Sequence, residues 1–298
     1  VILRRDQWLE IEHEHQDRVQ EKALAFQQRR AIRQSHPVDD FLFTYYFTSP
    51  TKLMGWWPEV GVEIEVIQED WVQRQYWADL LEINDHGHAV LQKKLWKNYF
   101  LERAKWVKNL CHLVSQRPPQ FRCYGMHEWA MVYKSAAEDV RHQGQRLRLS
   151  PADIARFVES QPIVCSHYDA FRFFTDEAVP LNRLQPALED RLNMEQSGCL
   201  HTNMDLYKWA GKLMPWCGAT LLGQCFELSQ MAREVDMRAS PYDLSEMGYI
   251  PIQLETLAGR EEYEKLQREI TLRSQPLREK LRLLAEVMIH TFEMTTQH

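Results

Sequence analysis

The chain has 298 residues, with 36 Lys+Arg against 42 Asp+Glu and a formal net charge of −6. Hydrophobic residues make up 44% and charged residues 26%, which excludes a disordered or collagen-like chain. The acidic balance argues against a protein that coats nucleic acid without specificity, and 11% aromatics beside only 11 glycines favour helices packed around large flat side chains.

Trp8, Ile11, His15, Val19, Ala23 and Phe26 recur at three- and four-residue steps, one face of an amphipathic helix ending near Arg33. Ser35, His36 and Pro37 break it. The apolar run 39–47 predicts a short buried helix capped by Asp39 or Asp40 and closed by Pro50. Val60, Val62, Ile64 and Val66 alternate with glycine or charge, the period of a strand. Helices are expected over 71–82 and 88–114, the second stopped by Pro118 and Pro119. Residues 126–142 read as helical, and Ser150, Pro151 and Asp153 form a helix start. Residues 162–165 and 249–256 are expected as short strands. Further helices are expected at 186–196, 201–214, 219–238, 258–272 and 276–294, the last two exposed or facing a second copy in a homodimer. The expected architecture is one mainly α domain over 1–298, compact and helical, with two or three short strands in its connections.

Cys111, Cys123, Cys165, Cys199, Cys217 and Cys225 form no CxxC pair, so they read as free thiols in a reducing compartment rather than as a zinc ribbon. No stretch reaches the ~18 apolar residues of a membrane span. The N-terminal residues turn charged at once, unlike a signal peptide. A cytoplasmic protein is expected. GxGxxG, the phosphate-binding loop GxxxxGK[ST] and the GxSxG elbow are absent from the sequence, and His127-Glu128 fails as a zincin because Met131 stands where a second histidine is needed.

Three segments within 121–214 are built alike, namely FRCYGMHEWAMVYK, VCSHYDAFRFF and GCLHTNMDLYKWAGKLMPW. Each joins a histidine to a nearby carboxylate, aromatics and a basic residue, and together they are expected to build a central pocket. His201 and Asp205, at i and i+4, share a helix face. Polar groups set among aromatics are costly to bury unless they pair or meet a ligand. One reading is a structural set of hydrogen-bonded histidines in an aromatic core, or a binding site without catalysis. A second is capture of a flat ligand such as a nucleobase by His127, Trp129, Tyr133, Tyr168, Phe171, Arg172, Tyr207, Lys208 and Trp209. In that reading Glu128, Asp169 and Asp205 do the acid–base work, while Lys134, Arg172, Lys208 and Lys212 meet phosphates. A third takes His167, Asp169 and His201 as ligands of iron, or a histidine as ligand of haem, in an oxygenase acting on a small aromatic molecule. Arg238 and Asp243 lie in a loop, 238–249, read as a capped turn or a pocket wall. Arg141, His142, Arg146, Arg148 and Arg156 form a basic face or a phosphate-contacting loop. His13, His15, His86 and His88 are expected at the surface.

HPVDDFLFTYY (36–46), FRCYGMHEWAMVYK (121–134), CSHYDAFRFFT (165–175), CLHTNMDLYKWAGKL (199–213) and DMRASPYDLSEMGYIPIQLET (236–256) resemble a bacterial protein family named 3-methyladenine DNA glycosylase. The resemblance runs from about residue 5 to residue 285. It implies cleavage of the N-glycosidic bond of alkylated purines in DNA, without a cofactor. The sequence has no helix-hairpin-helix with a following catalytic Asp and no array of helical repeats, so residue roles do not transfer from those glycosylases.

Overall fold

The computed structural model describes residues 1–46, 49–135 and 145–295. They form a mainly α protein with a small four-stranded sheet. None of its described helices is long and apolar enough to cross a membrane. The described residues group into two compact units, one of 1–112, 206–227 and 277–298, the other of 113–205 and 228–276.

Unit 1 holds the sheet. Strands β1 (Ile2–Leu3), β2 (Glu63–Ile64), β3 (Leu81–Ile83) and β4 (Ala89–Leu91) lie in the order β1-β2-β4-β3. β1 runs parallel to β2, and β4 pairs antiparallel with both β2 and β3. The expected strand at 60–66 shrinks to β2, and the helices expected over 71–82 and 88–114 give way in part to the β3–β4 hairpin. Its turn is chemically ordinary: the Asn84 side chain accepts from the backbone N–H groups of His86 and His88, and Gly87 takes φ 82°. Helix α1 (Arg5–Ala31) buries Trp8, Glu12, His15, Val19, Ala23 and Phe26, the predicted face except that Ile11 is half-buried and Glu12 is buried beside it. Helices α2 (Phe41–Tyr45), α3 (Pro50–Met54), α4 (Gln68–Gln73) and α5 (Asn98–Gln116) follow. Pro50 opens α3 as well as ending the preceding run, and Phe47 lies outside the described residues.

The core of unit 1 is tryptophan-built. Trp8 stacks on Trp56 with centroids 5.6 Å apart and meets Trp77 edge-on at 5.4 Å. Arg74 sits 4.9 Å from the Trp8 ring and ion-pairs with buried Glu12, so the charge is compensated where it is desolvated. His15, expected at the surface, is fully buried. Its Nε2 lies 2.8 Å from the Leu53 carbonyl, which requires the Nε2–H tautomer. Gly223 makes room for the ring, since a Cβ there would stand 2.6 Å from His15 Nδ1.

Unit 2 contains α6 (Met126–Ala130), α7 (Pro151–Ser160), α8 (Tyr168–Phe171) and α9 (Arg191–Met194). Ser150 caps α7 by accepting from Asp153 N, as its sequence predicts. The helix expected over 126–142 is described only as α6, and 136–144 lies outside the described residues. Residues 162–165 give one isolated bridge, Ile163 to Asn182, and 249–256 form no strand. Helices α10 (Leu200–Lys212), α11 (Gly218–Arg238) and α12 (Leu257–Thr295) supply residues to both units. α12 is one helix where two were expected. It runs through Pro276, whose missing N–H leaves the Leu272 carbonyl without its usual helical partner.

Candidate metal centre

The three histidine segments converge within unit 2. The His127 and His201 rings meet edge-on with centroids 4.4 Å apart, and His167 and His201 lie 5.5 Å apart. His127 comes from α6, which starts after a left-handed turn at Tyr124 (φ 43°) and Gly125 (φ 64°). Tyr263 closes over that turn, and a Cβ on Gly125 would sit 3.1 Å from its hydroxyl. His167 immediately precedes α8, and His201 lies in the first turn of α10.

The histidines divide between two groups of carboxylates. His127, His201 and Asp236 form the first, and His167, Glu195 and Asp205 the second; within each, one donor atom per residue lies within 4.8 Å of the others. His201 and Asp205 share a helix face but belong to different groups. The expected set of His167, Asp169 and His201 is not one of them. Asp169 instead ion-pairs with Arg191 and lies 3.4 Å from Arg172.

In the first group His127 Nε2 lies 2.9 Å from Asp236 Oδ1, yet the orientation is not that of a hydrogen bond and neither atom makes one. Both side chains are buried. Arg233, also buried, donates to Asp236 Oδ2 at 3.1 Å and to Glu128 Oε1 at 3.0 Å. Asp236 is thereby clamped through Oδ2 with Oδ1 turned toward the imidazole. Burial, the largest influence, pushes the His127 imidazole down, but Asp236 and Glu128 beside it together outweigh burial and the balance is upward. Burial opposes ionisation of Asp236, and His127 overcomes it to hold that carboxyl below the usual range. His201 goes the other way: burial, then the neighbouring His127, keep it well below the usual imidazole range.

In the second group His167 Nε2 lies 3.4 Å from Asp205 Oδ2 and 3.6 Å from Glu195 Oε1. His167 is fully buried and neither ring nitrogen makes a hydrogen bond. Arg191 approaches the same two carboxylate oxygens at 3.4 and 3.6 Å.

A cavity adjoins the first group, lined by His127 and His201 with Met126, Ile163, Leu200, Tyr263 and three cysteines, Cys123, Cys165 and Cys199. The space open to the centre of a water-sized sphere is about 10 Å³. Unit 1 has a separate cavity of about 420 Å³ by the same measure, walled by Trp56, Trp57, Val60, Leu221 and Leu284. No candidate site residue lines it.

The other expected site residues are dispersed. Trp129 is core, its N–H donating to the Ala239 carbonyl at 2.9 Å and its ring against Phe157. Tyr133 is buried with its hydroxyl on Glu159 at 2.6 Å, and Lys134 pairs with the same carboxylate. Tyr168 and Phe171 are half-buried, Phe171 against Phe174, and Arg172 is exposed. Tyr207, Lys208 and Trp209 fall in unit 1, where Tyr207 packs on Tyr46 and Phe226 and Trp209 on Trp106. Asp243 caps Ser245 and Arg238 holds the Ile250 carbonyl, the arrangement of a capped turn. Arg148 pairs with Glu255 and Arg156 with Asp153, while Arg141 and His142 lie outside the described residues.

Sequence reasoning missed Asp236, Glu195, Arg191 and Arg233. Asp236 and Arg233 carried a signal, being opposite charges at i and i+3 on one helix face. Glu195 carried none. Comparison of the chain with family models, with curated proteins and with solved structures finds no match.

Proposed function

We propose that this protein is a metal-dependent oxidoreductase whose centre is a transition-metal ion held by His127, His201 and Asp236. The observation that carries this reading is the 2.9 Å approach of His127 Nε2 to Asp236 Oδ1 without a hydrogen bond. Two donors bound to one ion at about 2.0–2.2 Å stand roughly 3 Å apart and point at the ion, not at each other. Two imidazoles and one carboxylate are the ligand set typical of non-haem Fe(II) oxygenases. Iron bound there would supply activation of dioxygen.

The chain's own residues have definite tasks in this reading. Arg233, itself held by Glu128, orients the Asp236 carboxylate from behind, the usual duty of a group bonded to a metal ligand. Met126, Ile163 and Leu200 exclude bulk water from the adjoining cavity. That cavity matches a ligand the size of water or dioxygen. It supports an ion over a haem, and it favours metal chemistry over the purine capture that the family resemblance implies.

The test is anaerobic loading with Fe(II), desalting and metal analysis. Retained iron is expected, with loss in His127→Ala and Asp236→Asn chains of unchanged helical circular dichroism. A wild-type chain that retains no iron overturns the reading. So does release of alkylated bases from DNA by metal-free protein with loss of that activity in Glu128→Gln.

A further inference from the structure

We infer that His167, Glu195 and Asp205 hold a second metal ion beside the first, so that the centre is dinuclear. The inference rests on the metal reading of His127, His201 and Asp236. The second group has its own evidence. His167 is fully buried, and an imidazole with neither nitrogen hydrogen-bonded is an expensive thing to desolvate. Its Nε2 faces two carboxylate oxygens at 3.4 and 3.6 Å, the spacing of donors that share an ion rather than a proton. One imidazole and two carboxylates suit a divalent first-row metal such as iron or manganese.

The helix geometry places the two groups side by side. His201 and Asp205 are about one turn apart on α10, roughly 6 Å along its axis, and each serves a different group. The His167 and His201 rings lie 5.5 Å apart. Helical scaffolds that bind two metals draw a carboxylate and a histidine about one turn apart from the same helix. Arg191 lies 3.4 Å from Asp205 Oδ2 and 3.6 Å from Glu195 Oε1, so it balances part of the acidic charge and keeps the two carboxylates converged.

The experiment is metal stoichiometry after anaerobic loading of the full chain with Fe(II). Two ions per chain are expected in wild type, and one in Glu195→Gln and in Asp205→Asn, near-isosteric variants that keep the volume of the site. A parallel Mn(II)-loaded wild-type sample needs no variant, and its electron paramagnetic resonance is expected to be that of a coupled pair. One ion per chain with an isolated Mn(II) signal overturns the second site and leaves the first standing. No ion overturns the first site and the second with it.

Discussion

His127 Nε2 and Asp236 Oδ1 stand 2.9 Å apart, from helices more than a hundred residues apart in the chain, and do not hydrogen-bond to each other. Two donors that share one ion stand at this spacing. Arg233 stabilises it by holding the other Asp236 oxygen and Glu128. Replacing Arg233 with Met leaves two buried carboxylates without their guanidinium. The expected loss is about 3–5 kcal/mol in urea unfolding of the metal-free protein, with part recovered on adding Fe(II). An unchanged midpoint would show that the clamp carries no stability.

The buried thiols offer a second check on the cavity. Burial pushes the Cys165 thiol up to about 12 and Cys199 well above its ordinary range. Since the thiolate is the reactive form, both should ignore a disulfide reagent at pH 8 in the native protein and react fully in urea. Burial also pushes the Cys123 thiol up, so mass mapping of the modified chain should show all three cavity thiols protected together. Rapid native labelling of Cys165 would mean that solvent enters the cavity freely.

Gly223→Ala tests the packing of α1 in unit 1. The added methyl would stand 2.6 Å from His15 Nδ1, with no flexible side-chain end to move aside. A loss of about 1–3 kcal/mol is expected, and His15→Ala in the same chain should cancel most of it. Additive losses in urea unfolding would refute the contact.

His15 also gives unit 1 an acid limb. Burial holds the folded imidazole below its ordinary value, against the opposing Leu53 carbonyl. The unfolded chain therefore takes up a proton below about pH 6.5 that the native state refuses. Its stability contribution is intact above that pH and is lost as the pH falls toward the folded value, at no more than about 1.4 kcal/mol per pH unit. Urea midpoints between pH 7.5 and 5.5 should fall more steeply in wild type than in His15→Gln. Equal slopes would show that His15 is not the group responsible.

The long helices were legible because apolar residues at helical spacing leave little choice, as α1, α10 and α11 show. Pro276 was misleading: proline ordinarily ends a helix, yet α12 continues through it. The β3–β4 hairpin was hidden by its short strands, although Asn84 and Gly87 are good turn residues. At the site, the histidines could be found because each stands in a dense aromatic segment. Asp205 could be found because it shares a helix face with His201, whereas Asp236 was signalled only by Arg233 one turn before it and Glu195 reaches the site only through tertiary folding. Tyr207 and Trp209 follow Asp205 closely in sequence, and their rings pack among the aromatics of unit 1.

The most direct measurement is an anaerobic Co(II) titration followed by visible absorption. Cobalt held by two imidazoles and a carboxylate in a closed site gives d–d bands unlike those of the hydrated ion. Saturable bands in wild type, absent from His127→Ala and Asp236→Asn, are the predicted result. A spectrum that stays that of hydrated cobalt throughout the titration would contradict a metal centre at His127, His201 and Asp236.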